Sequence, residues 1–230
     1  MQDNSQTPDE PRSMEHGQEE PDWDPASPKA TTRDVDPEFE KNRDLANYGE
    51  EGPTEVAPFD AEEPEDRGGS ATRAIAPTMP IDGAKARAFL DSCINSNPRV
   101  TYGLGKKVPF HGAKPGQDFQ KVDCSGFVRE AIWRATDPHV NFKDGSVVQH
   151  DWIRAQGFTK HTREQAMASD NLVRIVFLQP QDSPTGIGHV ALVHNGRTVE
   201  SHGGTGPNSR PWTVTGWQSK AFVYLLSNPT

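Results

Sequence analysis

Apolar residues recur at helical spacing in two stretches of the chain. After Ile81-Asp82-Gly83, the positions Ala86, Phe89, Leu90, Cys93 and Ile94 follow the i, i+3, i+4, i+7, i+8 rule, and residues 95–98 end the run at a proline. Cys93 therefore belongs to the buried stripe. A second helix is predicted over 125–136, where Phe127, Val128, Ala131, Ile132 and Ala135 share a face while Arg129, Glu130 and Arg134 can meet water. Shorter helices are predicted over 147–155 and 163–168. Strand patterns follow at 172–178, 189–194, 197–202 and 221–226, and Asn195-Gly196 between the second and third is a two-residue hairpin signal. Residues 99–122 are rich in Gly, Lys and Pro and keep no period, so they read as a long loop of the kind that carries function. Helices first and an antiparallel meander afterwards predict an α+β fold, with the N-terminal helices packed on one face of the sheet.

No such periodicity exists in residues 1–80. That stretch holds 11 of the 20 prolines, with 7 basic and 21 acidic residues (net −14), leaving 17 basic and 12 acidic (net +5) for 81–230. The whole-chain value of −9 thus averages two different objects. Residues 1–80 bury too little apolar surface to offset their ordering entropy and read as a disordered acidic Pro-rich tail. Residues 81–230 are a common size for one core. No run of about 18 apolar residues suggests a membrane span. The first 30 residues lack the basic start and apolar run of a Sec signal, so a cytoplasmic location until delivery by another route is expected. Nucleic acid is not an expected partner, because the lysines of the long loop (Lys106, Lys107, Lys114, Lys121) come without any recognised nucleic-acid-binding motif. That basic loop suits an anionic polymer or the acidic tail. With only Cys93 and Cys124, either a single bridge or two free thiols is open.

Cys124 is the candidate nucleophile. It sits where a helix start presents unpaired N–H groups and partial positive charge to the sulfur, which should lower its pKa, and the same N–H groups could receive an oxyanion. Asp123 and Ser125 are good capping residues, and Gly126 permits close approach. Among the eight histidines, His139, His150 and His161 lie among polar residues and read as surface. His189 opens a strand after Gly186-Ile187-Gly188, which puts its ring near the loops, and it is the candidate general base. His194 points to the opposite face and reads as a solvated hairpin residue. A base histidine needs a group on its other ring nitrogen, and Glu200 and His202 alternate together on the next strand. His202 stands roughly level with His189 across the hairpin and is favoured over Glu200. Trp212 and Trp217, with Arg210, either shape a groove or belong to core and turn. Neither C-x-x-C nor H-x-x-x-H occurs, so no metal or other cofactor is expected.

Asp123-Cys124-Ser125-Gly126-Phe127, followed about 65 residues later by Gly188-His189-Val190-Ala191-Leu192-Val193 and then a polar residue on the next strand, resembles the NlpC/P60 family. These are papain-like cysteine peptidases that cut peptide stems of bacterial peptidoglycan. The resemblance spans roughly residues 81–227 and implies a papain-like domain with Cys124 as nucleophile, His189 as base and His202 as orienting residue. It also implies that Tyr102, in Val100-Thr101-Tyr102-Gly103, lends a hydroxyl to the site; Ser125 and Trp212 join it as expected substrate contacts. Two segments depart from the family pattern. Gly103-Leu104-Gly105-Lys106-Lys107 stands where a Gly-Gly is usual, and Glu200-Ser201-His202-Gly203-Gly204 replaces the commoner Ile-His-Ala. The related CHAP amidases share the Cys and His, so amidase and endopeptidase readings both stand. Expected partners are peptidoglycan or a muropeptide, and a secretion carrier or immunity protein if the enzyme is exported without a Sec signal. A catalytically inactive binding module and an acyl-transferring relative are the competing readings.

Overall fold

A computed structural model describes residues 77–227. The expectation for the acidic tail falls almost wholly outside these residues. Packing begins slightly before the expected boundary at 81, because Met79 is buried and its N–H bonds the Leu226 carbonyl at 2.6 Å.

Helix α1 (Gly83–Ile94) starts where Asp82 Oδ1 accepts from the N–H groups of Ala84 and Lys85, and it buries Ala86, Phe89, Leu90 and Cys93 as its spacing dictates. Helix α2 (Cys124–Ala135) buries the stripe from Phe127 to Ala135 and packs on α1. Helix α3 is Ser146–Ala155. The residues predicted helical near 163–168 form only a short 3₁₀ turn, Glu164–Met167.

The described residues contain eight strands, in chain order β1 (Thr101–Tyr102), β2 (Lys121–Val122), β3 (Lys160–His161), β4 (Val173–Leu178), β5 (His189–His194), β6 (Arg197–His202), β7 (Gly206–Asn208) and β8 (Phe222–Leu225). Six of them make an antiparallel sheet in the order β3-β8-β4-β5-β6-β7. The mixed α+β expectation holds in this form. Asn195 and Gly196 both take positive φ (51° and 68°), which gives the hairpin a turn whose twist matches its strands. Gly196 is required there a second way, since a Cβ would stand 2.7 Å from the Met167 carbonyl.

The sheet is covered on both sides. Val190, Leu192 and Val199 join the helices in one core, while Ala191, Val193, Leu178, Trp212 and Trp217 form a second cluster on the other face. Burial on both faces explains why β4 reads as a continuous apolar run rather than an alternation. Its one charge, Arg174, is buried and paired with Asp170 at 2.5 Å.

The long loop has structure of its own. β1 and β2 pair in parallel (Tyr102 with Val122), an arrangement too short to leave a periodic signal. Glu130, expected to face water, is fully buried and accepts from Gly112 N (2.9 Å), His111 Nδ1 (2.8 Å) and Arg134 Nε (2.7 Å), which ties the loop to α2. Other expectations change as well. His150 is buried and its Nε2 bonds the Tyr224 hydroxyl at 3.0 Å. His194 is half-buried, its ring against Gly83. Both cysteines are free.

Candidate active site

The site forms where the start of α2 meets the first residue of β5. Asp123 adopts extended backbone and caps α2, its Oδ1 accepting from Gly126 N at 2.7 Å, so Cys124 is the first residue in the helix. A helix leaves its first-turn N–H groups without intrahelical partners, and Cys124 stands at that end of α2. The Cys124 arm is tied to the sheet by Ser201, whose hydroxyl donates to the Val122 carbonyl at 2.8 Å. Helix α2 packs directly on β5 and β6.

Beside this turn lies a cation, Lys107, that no pattern in the chain singles out from the other lysines of its loop. Lys107 Nζ stands 2.7 Å from Asp123 Oδ2 and 2.7 Å from Ser125 Oγ. It is therefore engaged with the helix start. Gly126 has no Cβ because one would meet Lys107 Cδ at 2.9 Å. Burial pushes the Asp123 carboxyl up, and the Lys107 charge opposes that shift. Ser125, expected to touch substrate, is 0% exposed and spends its hydroxyl on Lys107 and Asp123. Its side chain belongs to the helix cap.

His189 bonds Glu200 Oε2 through Nε2 at 2.7 Å, and the Cys124 side chain is close enough to act on its imidazole. With Nε2 on Glu200, Nδ1 is the nitrogen left for the sulfur. Burial alone would lower this imidazole, but the hydrogen bonds and charges of Cys124 and Glu200 outweigh it and raise it to about 9. Glu200 is fully buried, yet His189 and Arg210 hold its carboxyl well below the usual carboxylate range.

The structure thus puts Glu200, not His202, on the His189 ring. The β5–β6 ladder runs from His194↔Arg197 to Leu192↔Val199, and beyond that β6 pairs with β7 instead. Extending the register would set His202 opposite His189, but the strands part before that pair forms. Glu200, the diagonal neighbour on the same face, makes the bond. His202 turns its Nδ1 to the Gly203 carbonyl at 2.9 Å and lines the cleft. Burial pushes its imidazole down.

A cleft of about 270 Å³ opens beside His189, walled by Tyr102, Leu178, Ile187, His202, Arg210 and Trp217. The β1–β2 pair is what carries Tyr102 there. Burial and the nearby Cys124 and Asp123 charges push its phenol well above the ordinary value, so it is a neutral hydroxyl. Trp212 is not a groove residue: it is 2% exposed, donates Nε1–H to the Arg163 carbonyl at 2.8 Å and packs edge-on against Trp217. Trp217 in turn meets His189 edge to face at 4.9 Å. A second hollow of about 250 Å³ at the β3–β8 edge contains no thiol. Among the described residues no group of three or more His, Cys, Asp or Glu side chains is placed to hold a metal ion, and no helix is long and apolar enough to cross a membrane.

Chemically, the arrangement offers a thiol at a helix start, an imidazole beside it, a buried carboxylate fixing that imidazole, and the Tyr102 hydroxyl in the adjoining cleft. No protein-family model matches the chain, and a search of curated proteins returns no relative.

Proposed function

We propose that the chain is a papain-like cysteine hydrolase of the NlpC/P60 type, cutting a peptide or amide bond in the peptide stems of bacterial peptidoglycan. The observation that supports this reading is the series Cys124, His189, Glu200, with Cys124 at a helix start, the His189–Glu200 bond at 2.7 Å and His189 lining a cleft. The substrate class comes from the motif resemblance around Cys124 and His189.

In the proposed mechanism His189 Nδ1 already holds the proton given up by Cys124, and the thiolate sulfur attacks the carbonyl carbon. The resulting oxyanion is received by the N–H groups at the start of α2 and by the neutral Tyr102 hydroxyl. The imidazolium then protonates the leaving amine as the C–N bond breaks, which leaves a thioester on Cys124. Water, deprotonated by His189, attacks that thioester and releases a carboxylate product and the thiol. Glu200 keeps Nε2–H directed away from the sulfur, so the lone pair or proton used in chemistry is always the one on Nδ1.

The test is digestion of purified peptidoglycan and defined muropeptides by the wild type and by Cys124→Ala, with products identified by mass spectrometry. Wild-type protein should release new stem fragments and C124A none. Hydrolysis by C124A at the wild-type rate would overturn the assignment, and binding without cleavage by the wild type would favour an inactive module. The new termini also decide between endopeptidase and amidase.

A further inference from the structure

We infer that Arg210 is a positioning residue for the reaction: it grips the Glu200 carboxylate, and through it fixes the orientation of His189. The inference deepens the hydrolase reading above and rests on it for its kinetic consequences.

Glu200 accepts four hydrogen bonds. Thr198 Oγ1 donates to Oε1 at 2.6 Å, Arg210 Nε to Oε1 at 2.9 Å, Arg210 Nη2 to Oε2 at 2.9 Å, and His189 Nε2 to Oε2 at 2.7 Å. An ionised carboxylate has about four lone-pair sites, so this one is saturated and Arg210 supplies half of its partners. The guanidinium fork binds both oxygens, which fixes the plane of the carboxylate in a way that a single donor cannot. It is also a cation beside a carboxylate that is 0% exposed and would otherwise depend on the His189 charge alone.

Arg210 is itself held by the sheet. Beyond β7 the chain continues along β6, with Thr198 N donating to the Arg210 carbonyl at 2.8 Å and Arg210 N donating to Thr198 Oγ1 at 2.8 Å. One threonine hydroxyl thus accepts from the Arg210 backbone and donates to Glu200. In this register Arg210 and His189 are diagonal neighbours of Glu200 from opposite sides, on strands that flank β6. The guanidinium also lies 5.7 Å from the centre of the Trp217 ring, the ring that meets His189 edge-on. Arg210 therefore braces both the carboxylate and the indole that confine the imidazole. The mechanism needs such bracing because Nδ1 must keep its direction toward the sulfur through two proton transfers.

A double-mutant cycle tests this, with Arg210→Met, Arg210→Lys, Glu200→Gln and the R210M/E200Q pair assayed on one defined muropeptide and melted thermally. R210M should lower kcat by about 100-fold with KM within about 3-fold. R210K should lose about 10-fold, because an ammonium keeps the charge but not the fork. In the E200Q background R210M should cost less than about 3-fold more, since the group it acts through is already gone. Losses that multiply in the double variant, or a raised KM with kcat intact, would overturn the inference by making Arg210 a substrate contact. Should R210M not fold, R210K and its E200Q pair close the same cycle. A readout independent of hydrolysis is the imidazole N–H proton signal of His189 in histidine-labelled protein. The signal should persist in the wild type and be lost through solvent exchange in both R210M and E200Q. That pattern supports the bracing even if no muropeptide is cut, and an unchanged signal in R210M refutes it whatever the substrate.

Discussion

Replacing Glu200 by Gln changes one oxygen to an amide nitrogen in a site where every partner is a donor. His189 Nε2 and Arg210 Nη2 both point at Oε2, and Thr198 Oγ1 and Arg210 Nε both point at Oε1. The amide has one acceptor end, so its NH₂ group must face one of these donor pairs. If it faces His189, the ring must accept at Nε2 and carry its proton on Nδ1, where it cannot take one from Cys124. If it faces Arg210 and Thr198, buried donors oppose one another, and each unsatisfied group costs about 1–3 kcal/mol. Either outcome spoils the base while leaving the cleft walls in place. E200Q should therefore lower kcat by about 10² to 10⁴, equivalent to about 3–5 kcal/mol of transition-state stabilisation, with KM changed by no more than about 3-fold. The variant should melt earlier, because a guanidinium 24% exposed loses its carboxylate, yet remain folded at 25 °C. The assay is a kcat and KM comparison on one muropeptide, with His202→Ala as the control expected to keep kcat within about 3-fold. Near-wild-type turnover in E200Q together with a 100-fold loss in H202A would refute the argument and return the orienting role to His202.

Three further outcomes follow from burial and charge. The His189 imidazole is raised from 6.5 to about 9, so its ion pairing contributes stability fully present below about pH 6.5 and lost as pH rises through about 9. Loss of the imidazolium removes the acid that protonates the leaving amine, and kcat should fall along a limb near pH 9, a trend that constant turnover to pH 10 would disprove. His150 is lowered from 6.5 to about 4 by burial, with Arg154 and Lys160 adding to it, so its neutral ring contributes stability present above about pH 6.5 and lost as pH falls through about 4. That share amounts to about 3 kcal/mol at most, and urea unfolding at pH 7 and pH 4 should show it in the wild type but not in His150→Gln. Finally, both thiols are buried, but burial pushes the Cys93 thiol up to about 12, whereas Cys124 stands beside the His189 imidazole. Brief treatment of the native protein with iodoacetamide at pH 7 should therefore label Cys124 alone, and mass mapping that found Cys93 modified first would contradict this.

Much of this molecule was legible before any coordinates. The stripe from Ala86 to Cys93, the Asp123 cap and the Asn195-Gly196 turn depend on interactions between residues a few positions apart, which a linear pattern records directly. The same short-range logic placed Cys124 at a helix start and His189 at a strand start. What it left open depended on where neighbouring strands stop pairing. His202 and Glu200 share a face, and only the parting of β5 from β6 after Leu192↔Val199 hands the His189 ring to Glu200. Burial behaved in the same way. Glu130, His150 and Ser125 look like surface or site residues until the loop, the sheet and Lys107 close over them, and Trp212 looks like a groove residue until the second face of the sheet is covered. Arg210 reaches the carboxylate only because the chain returns along β6 after β7. Local pattern determined which residues could stand at element ends, and tertiary register, a property of strands brought together from distant parts of the chain, decided which of them touch.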